Sequence, residues 1–212
     1  MQRLLKWALC GVAGAAGCLG TATLKAQTTN KLAAAAPVTY DNRYEVYGGL
    51  LFQNFQAGQS IPKRMNTGGI EAQGTYFVTR HLGVTADFRG SAGTTPVFAN
   101  PYTSRPLVVL YTGMAGVTYR GPRNQRFALD YHAMGGVSHG DFTQTPVPAN
   151  VNIGLYTNRT KPMYVVGGSL DFNRSKNLAI RLSPDLVFEH YGTETREFFS
   201  ISAGVLYRFG HR

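Results

Sequence analysis

Two places in the sequence bring a hydroxyl, imidazoles and carboxylates close together along the chain. Ser138-His139 is followed by Asp141, and Glu189-His190 lies further on. A serine hydroxyl that gives its proton to an imidazole oriented by an acid is the arrangement of acyl-transfer chemistry, and such a set is defined by geometry rather than by order in the chain. If the Ser138-His139-Glu189 neighbourhood converged, the reaction would be hydrolysis, with lipid as substrate for a chain lying in a membrane. Nothing in the spacing forces convergence, and exposed loop and interface residues are the preferred reading. His132, His139 and His190 lack the short repeated spacing of a metal site, so no metal and no other cofactor is expected. The glycine pairs beginning at Gly48, Gly135 and Gly167 are not phosphate loops, because no Gly-rich turn leads into a helix and a lysine. They suit bends in a strongly curved sheet. Asn158-Arg159-Thr160 fits a glycosylation acceptor only formally.

The remaining charges carry more information through their parity. Asp87 and Arg89 share one parity, and so do Arg181, Asp185 and Glu189, while Leu178, Ile180, Leu182, Leu186 and Phe188 hold the alternate positions. Glu45, Glu71, Asp130, His132, Asp171 and Arg208 fall on the polar parity of their own segments. An alternation of period two is the mark of a β-strand with two unlike faces. It recurs over residues 44–55, 69–78, 82–90, 107–119, 127–138, 163–172, 178–191 and 198–209, which predicts eight strands of nine to fourteen residues. Soluble strands commonly run about 5 to 6 residues, whereas a tilted strand crossing a bilayer needs about 9 to 11.

The connections expected between these strands alternate. Residues 56–68, 91–106 and 139–160 are long and 192–197 intermediate, whereas 79–81, 120–126 and 173–177 are short. In an up-and-down antiparallel barrel the short connections then share one end with both termini, and the longer ones share the other. Outer-membrane barrels have this asymmetry, with tight periplasmic turns and longer external loops. The sequence does not state whether the apolar face looks inward, as in a lipocalin, or outward to lipid. Its aromatic content favours lipid: Phe52, Tyr76, Phe88, Tyr111, Tyr119, Phe127, Phe172, Phe188, Phe199, Tyr207 and Phe209 lie on it, many near strand ends, as interfacial girdles require.

Composition and the N-terminus agree. Of 212 residues, 15% are charged, well under the roughly 25% of soluble domains, while Gly numbers 25 and Tyr and Phe 12 each. The net charge of +10 is scattered, with only Lys63-Arg64 adjacent in the expected barrel, so no basic run tracks a nucleic-acid backbone and no nucleic-acid partner is expected. Arg3 and Lys6 precede an apolar stretch from Trp7 to about Ala22, and a polar segment follows Ala26; residues 1–26 read as a signal peptide, with cleavage after Ala22 or Ala26 both open. Cys10 and Cys18 fall inside it. Ala15-Ala16-Gly17-Cys18 lacks the leading branched residue of a lipoprotein box. Residues 27–42 read as a linker, and 43–212 as the barrel domain.

The span from Tyr44 to Phe209 resembles the small eight-stranded outer-membrane barrels of the OmpA-like type, most specifically in Leu178-Ala-Ile-Arg-Leu-Ser-Pro-Asp185 and Ser202-Ala-Gly-Val-Leu-Tyr-Arg-Phe209. The resemblance implies a final strand with a terminal aromatic read by the barrel-assembly machinery. Tyr207 and Phe209 match that pattern, with Gly210-His211-Arg212 extending past it. Longer relatives carry a peptidoglycan-binding domain after the barrel, which this sequence does not show, so cell-wall tethering is not implied.

The expectation is therefore an all-β, eight-stranded antiparallel up-and-down transmembrane barrel in a Gram-negative-type outer membrane. It would be monomeric and non-enzymatic, and would touch outer-membrane lipid and lipopolysaccharide. Its role would be structural or in surface interaction. The lumen would be plugged by Glu45, Glu71, Asp87, Asp130, Asp171, Asp185 and Glu189 facing Arg89, Arg181 and Arg208, with His132 beside them. One alternative is an adhesin or ligand-binding barrel acting on an unidentified extracellular ligand through Phe98, Tyr102, Phe142 and Tyr156 of the long loops. A narrow diffusion pore is another, and a lipid hydrolase is the least favoured.

Overall fold

The computed structural model describes residues 37–61, 63–142, 147–148 and 151–211. The expected signal peptide, with Cys10 and Cys18, and residues 27–36 of the expected linker lie outside the described residues. The described chain forms eight antiparallel strands: β1 (Asn42–Phe55), β2 (Met65–Phe77), β3 (Leu82–Thr94), β4 (Leu107–Arg123), β5 (Phe127–Phe142), β6 (Arg159–Asn173), β7 (Leu178–Glu189) and β8 (Arg196–His211). Each pairs with its sequence neighbours, and β8 returns to β1, where Tyr44 lies opposite both Tyr76 and Phe209. Closure removes every sheet edge, which is what a sheet needs in a solvent that cannot hydrogen-bond its backbone.

Most strands run further than the period-two pattern alone predicts. β4 continues through Arg123, β5 through Phe142, and β6 begins at Arg159. Arg120, expected in a turn, is therefore a strand residue, opposite Asp130 in the ladder. The turns at 78–81, 124–126 and 174–177 are tight because side chains close them. Thr79 Oγ1 accepts the Leu82 N–H at 2.9 Å, Asn124 Oδ1 accepts those of Arg126 and Phe127 at 2.8 Å each, and Ser175 Oγ accepts that of Leu178 at 3.1 Å. The ladder between β6 and β7 is interrupted near Pro184, which has no N–H, and the Gly168 carbonyl accepts the Ser183 hydroxyl at 3.4 Å.

The orientation left open by the sequence is resolved by exposure. Leu50 is 74% exposed and Ile70 62%, whereas Glu45, Asp171 and Arg181 are buried. The apolar parity faces outward and the charged parity fills the interior, the inverse of a soluble barrel. Aromatics gather at the short-turn end of the outer face: Tyr207 stacks on Phe209, Phe209 on Tyr44, and Tyr44 packs on Tyr76, while Phe127 meets Phe172 edge-on.

The last residues of the expected linker are part of the barrel. Val38 exchanges hydrogen bonds with Gln125, its N–H donating to Oε1 at 2.7 Å and its carbonyl accepting from Nε2 at 3.2 Å. Tyr40 has φ of +55°, an uncommon region for a residue with a Cβ, and polar contacts hold it there. Its hydroxyl donates to the Asn124 carbonyl at 2.7 Å and accepts from Asn173 at 2.6 Å, and its carbonyl accepts from Arg120 at 3.1 Å. The segment thus joins the β4–β5 turn to the end of β6 at the short-turn end.

Candidate functional site: the filled lumen and the loop mouth

Two ionic clusters fill the part of the lumen nearer the short turns. In the lower one, Arg181 of β7 donates to Asp171 Oδ1 and Oδ2 at 2.6 and 2.9 Å, to Glu45 Oε2 at 3.1 Å and to Asp130 Oδ2 at 3.1 Å. Arg208 reaches Asp171 at 2.6 Å, and Arg120 reaches Glu45 at 2.7 Å. In the upper cluster, Arg89 of β3 contacts Asp185 at 2.6 Å, Asp87 at 3.1 Å and Glu71 at 3.5 Å, and His132 Nε2 lies 2.8 Å from Asp185 Oδ1. Gln73 links the two, accepting from Arg181 at 3.1 Å and donating to Asp87 at 3.4 Å. Buried ions are tolerable only in such paired, hydrogen-bonded arrays.

All eleven charged or imidazole residues expected in the lumen are buried there, but not all join the network. Glu189 pairs with no cation among the described residues, and its Oε2 has no hydrogen-bond partner. Sequence reasoning missed Arg120 and Gln73. Arg120 brings the guanidiniums to four and lies 3.4 Å above the Phe77 ring. Its signal was available, since Thr112, Met114, Thr118 and Arg120 share the inward parity of β4. The expected ratio of seven carboxylates to three guanidiniums is corrected to seven to four. The grouping Glu45, Asp130 and Asp171 has its oxygens close enough for a metal, but Arg181 donates to all three side chains. That geometry fits an ion-pair array and not a cation site.

Toward the longer loops the interior changes character. Phe55, Phe142, Tyr156, Tyr191 and Phe198 pack together with Met65, Met114, Met134 and Met163. The inward parity thus turns apolar near the mouth, and the charge network does not extend there. The loops fold over this plug: the Tyr156 N–H donates to the Ala57 carbonyl at 2.9 Å, the Phe98 N–H to Ile153 at 3.3 Å, and Gln59 Nε2 to Thr193 at 2.8 Å. Between them lies an open pocket of about 330 Å³, bordered by Gln59, Phe98, Asn152, Arg159 and Tyr191.

The loop residues expected to bind ligand separate on this geometry. Phe98 and Tyr102 are exposed, and Phe98 borders the pocket. Tyr156 is mostly buried and is among the residues lining the pocket. Phe142 is corrected: it ends β5 inside the plug, 1% exposed, and presents no surface to the exterior. Burial raises the pKa of both Tyr156 and Tyr191, and the Glu189 carboxylate beside Tyr191 adds to the shift there.

The Ser-His-acid residues do not converge. Ser138 faces the lumen, where its Oγ accepts from Tyr191 at 2.7 Å, while His139 faces outward and contacts Thr160 at 2.8 Å. His190 contacts Thr195 at 3.1 Å, and Asp141 accepts from Asn158 at 2.8 Å.

A closed eight-stranded sheet with an apolar outer face, aromatic interface residues and an ionic interior defines a small transmembrane β-barrel. No protein-family profile and no curated protein matches the sequence. The fold is shared with solved outer-membrane barrels. Ail of Yersinia pestis, in complex with the heparin analogue sucrose octasulfate, has 16% identity over 80% of this chain and 99% of its own, with a TM-score of 0.53. Neisserial surface protein A has 13% identity over 78% and 97%, with a TM-score of 0.54. OprG of Pseudomonas aeruginosa has 10% identity over 81% and 97%, also with a TM-score of 0.54.

Proposed function

We propose that this chain is a non-enzymatic barrel of the cell outer membrane, closed to bulk flow, whose work is done at the mouth formed by its longer loops. The observation carrying this reading is the occupied interior: ion pairs join opposite walls in one part of the lumen, and an aromatic and methionine plug fills the other. An eight-stranded barrel has an interior only wide enough for side chains, so these groups leave no continuous water path. The short turns face the periplasm and the longer loops the exterior, in contact with lipopolysaccharide. Tyr207 and Phe209 mark the final strand for the barrel-assembly machinery, and the barrel acts as a monomer.

The pocket and its rim favour a ligand-binding or adhesive role over pure scaffolding. Phe98 gives an exposed apolar surface, Gln59 and Asn152 give amides, and Arg159 gives a guanidinium. With Lys63 and Arg64 nearby in the first loop, an anionic glycan is the ligand class to test first. Folded protein should be retained on immobilised heparin and released by sucrose octasulfate, and replacing residues 151–157 with a Gly-Ser turn should abolish retention while the barrel persists. Equal retention of the two proteins would remove the mouth from the account.

A further inference from the structure

Six cations surround the short-turn end. Arg43 precedes Tyr44 in β1, Arg80 lies in the 78–81 turn, Arg123 ends β4 and Arg126 lies in the turn that follows, and Arg174 and Lys176 occupy the third. Among the described residues Asp41 is the one exposed carboxylate there, and none of the six forms an ion pair. Arg123 lies 5.5 Å from the Tyr40 ring and donates to the Arg80 carbonyl at 3.3 Å. A cluster of unpaired cations repels itself, so its presence at one end of a barrel calls for an anion from outside.

Where these cations stand indicates which anion. They occupy every turn at this end as well as the start of β1, so they are spread around the circumference and do not form one face. They also adjoin the aromatic girdle: Arg43 is next to Tyr44, Arg126 next to Phe127, and Arg174 two residues beyond Phe172. A cation one or two residues beyond an interfacial aromatic reaches headgroup depth, its alkyl stem lying along the apolar surface. A protein partner would engage one side or cover the end, whereas a lipid annulus meets the whole circumference. We propose that this ring binds anionic phospholipid headgroups of the periplasmic leaflet, anchoring the barrel's depth. The assignment to that leaflet rests on the orientation proposed above.

The test is lipid selectivity by electron spin resonance, with the folded barrel in phosphatidylcholine bilayers holding a trace of spin-labelled phosphatidylglycerol or phosphatidylcholine. The motionally restricted fraction should favour phosphatidylglycerol by at least about two-fold, since each surface cation attracts anionic lipid, and the preference should collapse in about 1 M salt. It should fall toward unity in the variant R43Q/R80Q/R126Q/R174Q/K176Q and persist in the loop-end variant K63Q/R64Q/K161Q. Equal association of the two lipids with the wild-type barrel, or a preference insensitive to salt, would overturn the proposal even if the five-fold variant failed to fold. A preference lost only in the loop-end variant would also overturn it. Selectivity in a symmetric bilayer does not depend on which end faces the periplasm, so an error in orientation would appear in cell-surface proteolysis and not in these spectra.

Discussion

Arg89 of β3 and Asp185 of β7 stand four strands apart in a ring of eight, on opposite walls, and their 2.6 Å contact crosses the lumen. Arg181 of β7 reaches Glu45 of β1, two strands away, and Gln73 of β2, three strands away. Strands that are not neighbours in the sheet are thus tied through the interior, so the charges that would line a channel in a wider barrel act here as cross-braces.

Removing a brace takes a donor from several buried carboxylates at once, and loss of Arg181 leaves Asp130 without its ion pair. Arg181→Ala should cost about 3 to 5 kcal/mol of stability, because Asp171, Glu45 and Asp130 all lose a donor. Arg120→Ala should also be destabilising, and Arg174→Ala at an exposed turn should change stability by less than about 0.5 kcal/mol. Urea unfolding of the three variants in lipid vesicles gives the comparison, and similar small losses for all three would contradict a braced lumen.

Protease accessibility tests the orientation. Arg159, on the expected external loop, and Lys161, just after it, lie in the β6 ladder opposite Gly140 and Ser138 and should resist trypsin. The sites in intact cells should instead be Lys63 and Arg64, just before β2. Cleavage at Arg126 in sealed cells would reverse the orientation.

Ser138 should prove structural. Ser138→Ala removes the acceptor of the Tyr191 hydroxyl and the contact with Thr112 Oγ1, and should cost about 1 to 3 kcal/mol. His139→Ala, on the outer face, should have little effect on stability. If both variants instead abolished a lipid hydrolase activity of the wild-type protein, the two residues would have to converge in a state this structure does not contain.

Alkali should loosen the mouth. Burial raises the Tyr191 pKa above its usual value near 10, so the folded state holds that proton more tightly than the unfolded state. The resulting stabilisation is present below about pH 10 and is lost as pH rises through the raised value. Phenolate absorbance of wild-type protein should show late-titrating tyrosines, with one fewer in Tyr191→Phe; an unchanged late phase would place Tyr191 in contact with water.

Parity was enough to reveal eight strands and the side of the charges within their expected bounds, because a side chain's face in a strand is fixed by position alone; Arg120 fell just beyond the expected end of β4 and was missed. It also held the answer for Ser138 and His139: adjacent strand residues face opposite ways and cannot form a dyad. Two features required the folded chain. That the apolar face points outward depends on closure, which the alternation of one strand does not encode. The aromatic plug assembles from Phe55, Phe142, Tyr156, Tyr191 and Phe198, which come from separate strands and loops, so no local pattern announces it. Tyr40 escaped for the same reason, its contacts lying more than 80 residues away in sequence at Asn124 and Asn173.

Phe209 offers a test of assembly. β8 continues past it to His211, opposite Asn42, and Gly210 takes φ of +73°, where an added Cβ would lie 2.8 Å from the Tyr44 ring. Phe209→Ala should reduce outer-membrane insertion, measured as the fraction of heat-modifiable protein; full insertion would show that the extended strand end is read instead.

A closed lumen carries no bulk flow, and planar-bilayer recording of the purified, folded barrel measures this. A filled lumen should give no steady conductance, with at most small, infrequent, cation-preferring events because carboxylates outnumber guanidiniums inside. Large, steady, porin-like currents from the wild-type protein would contradict it.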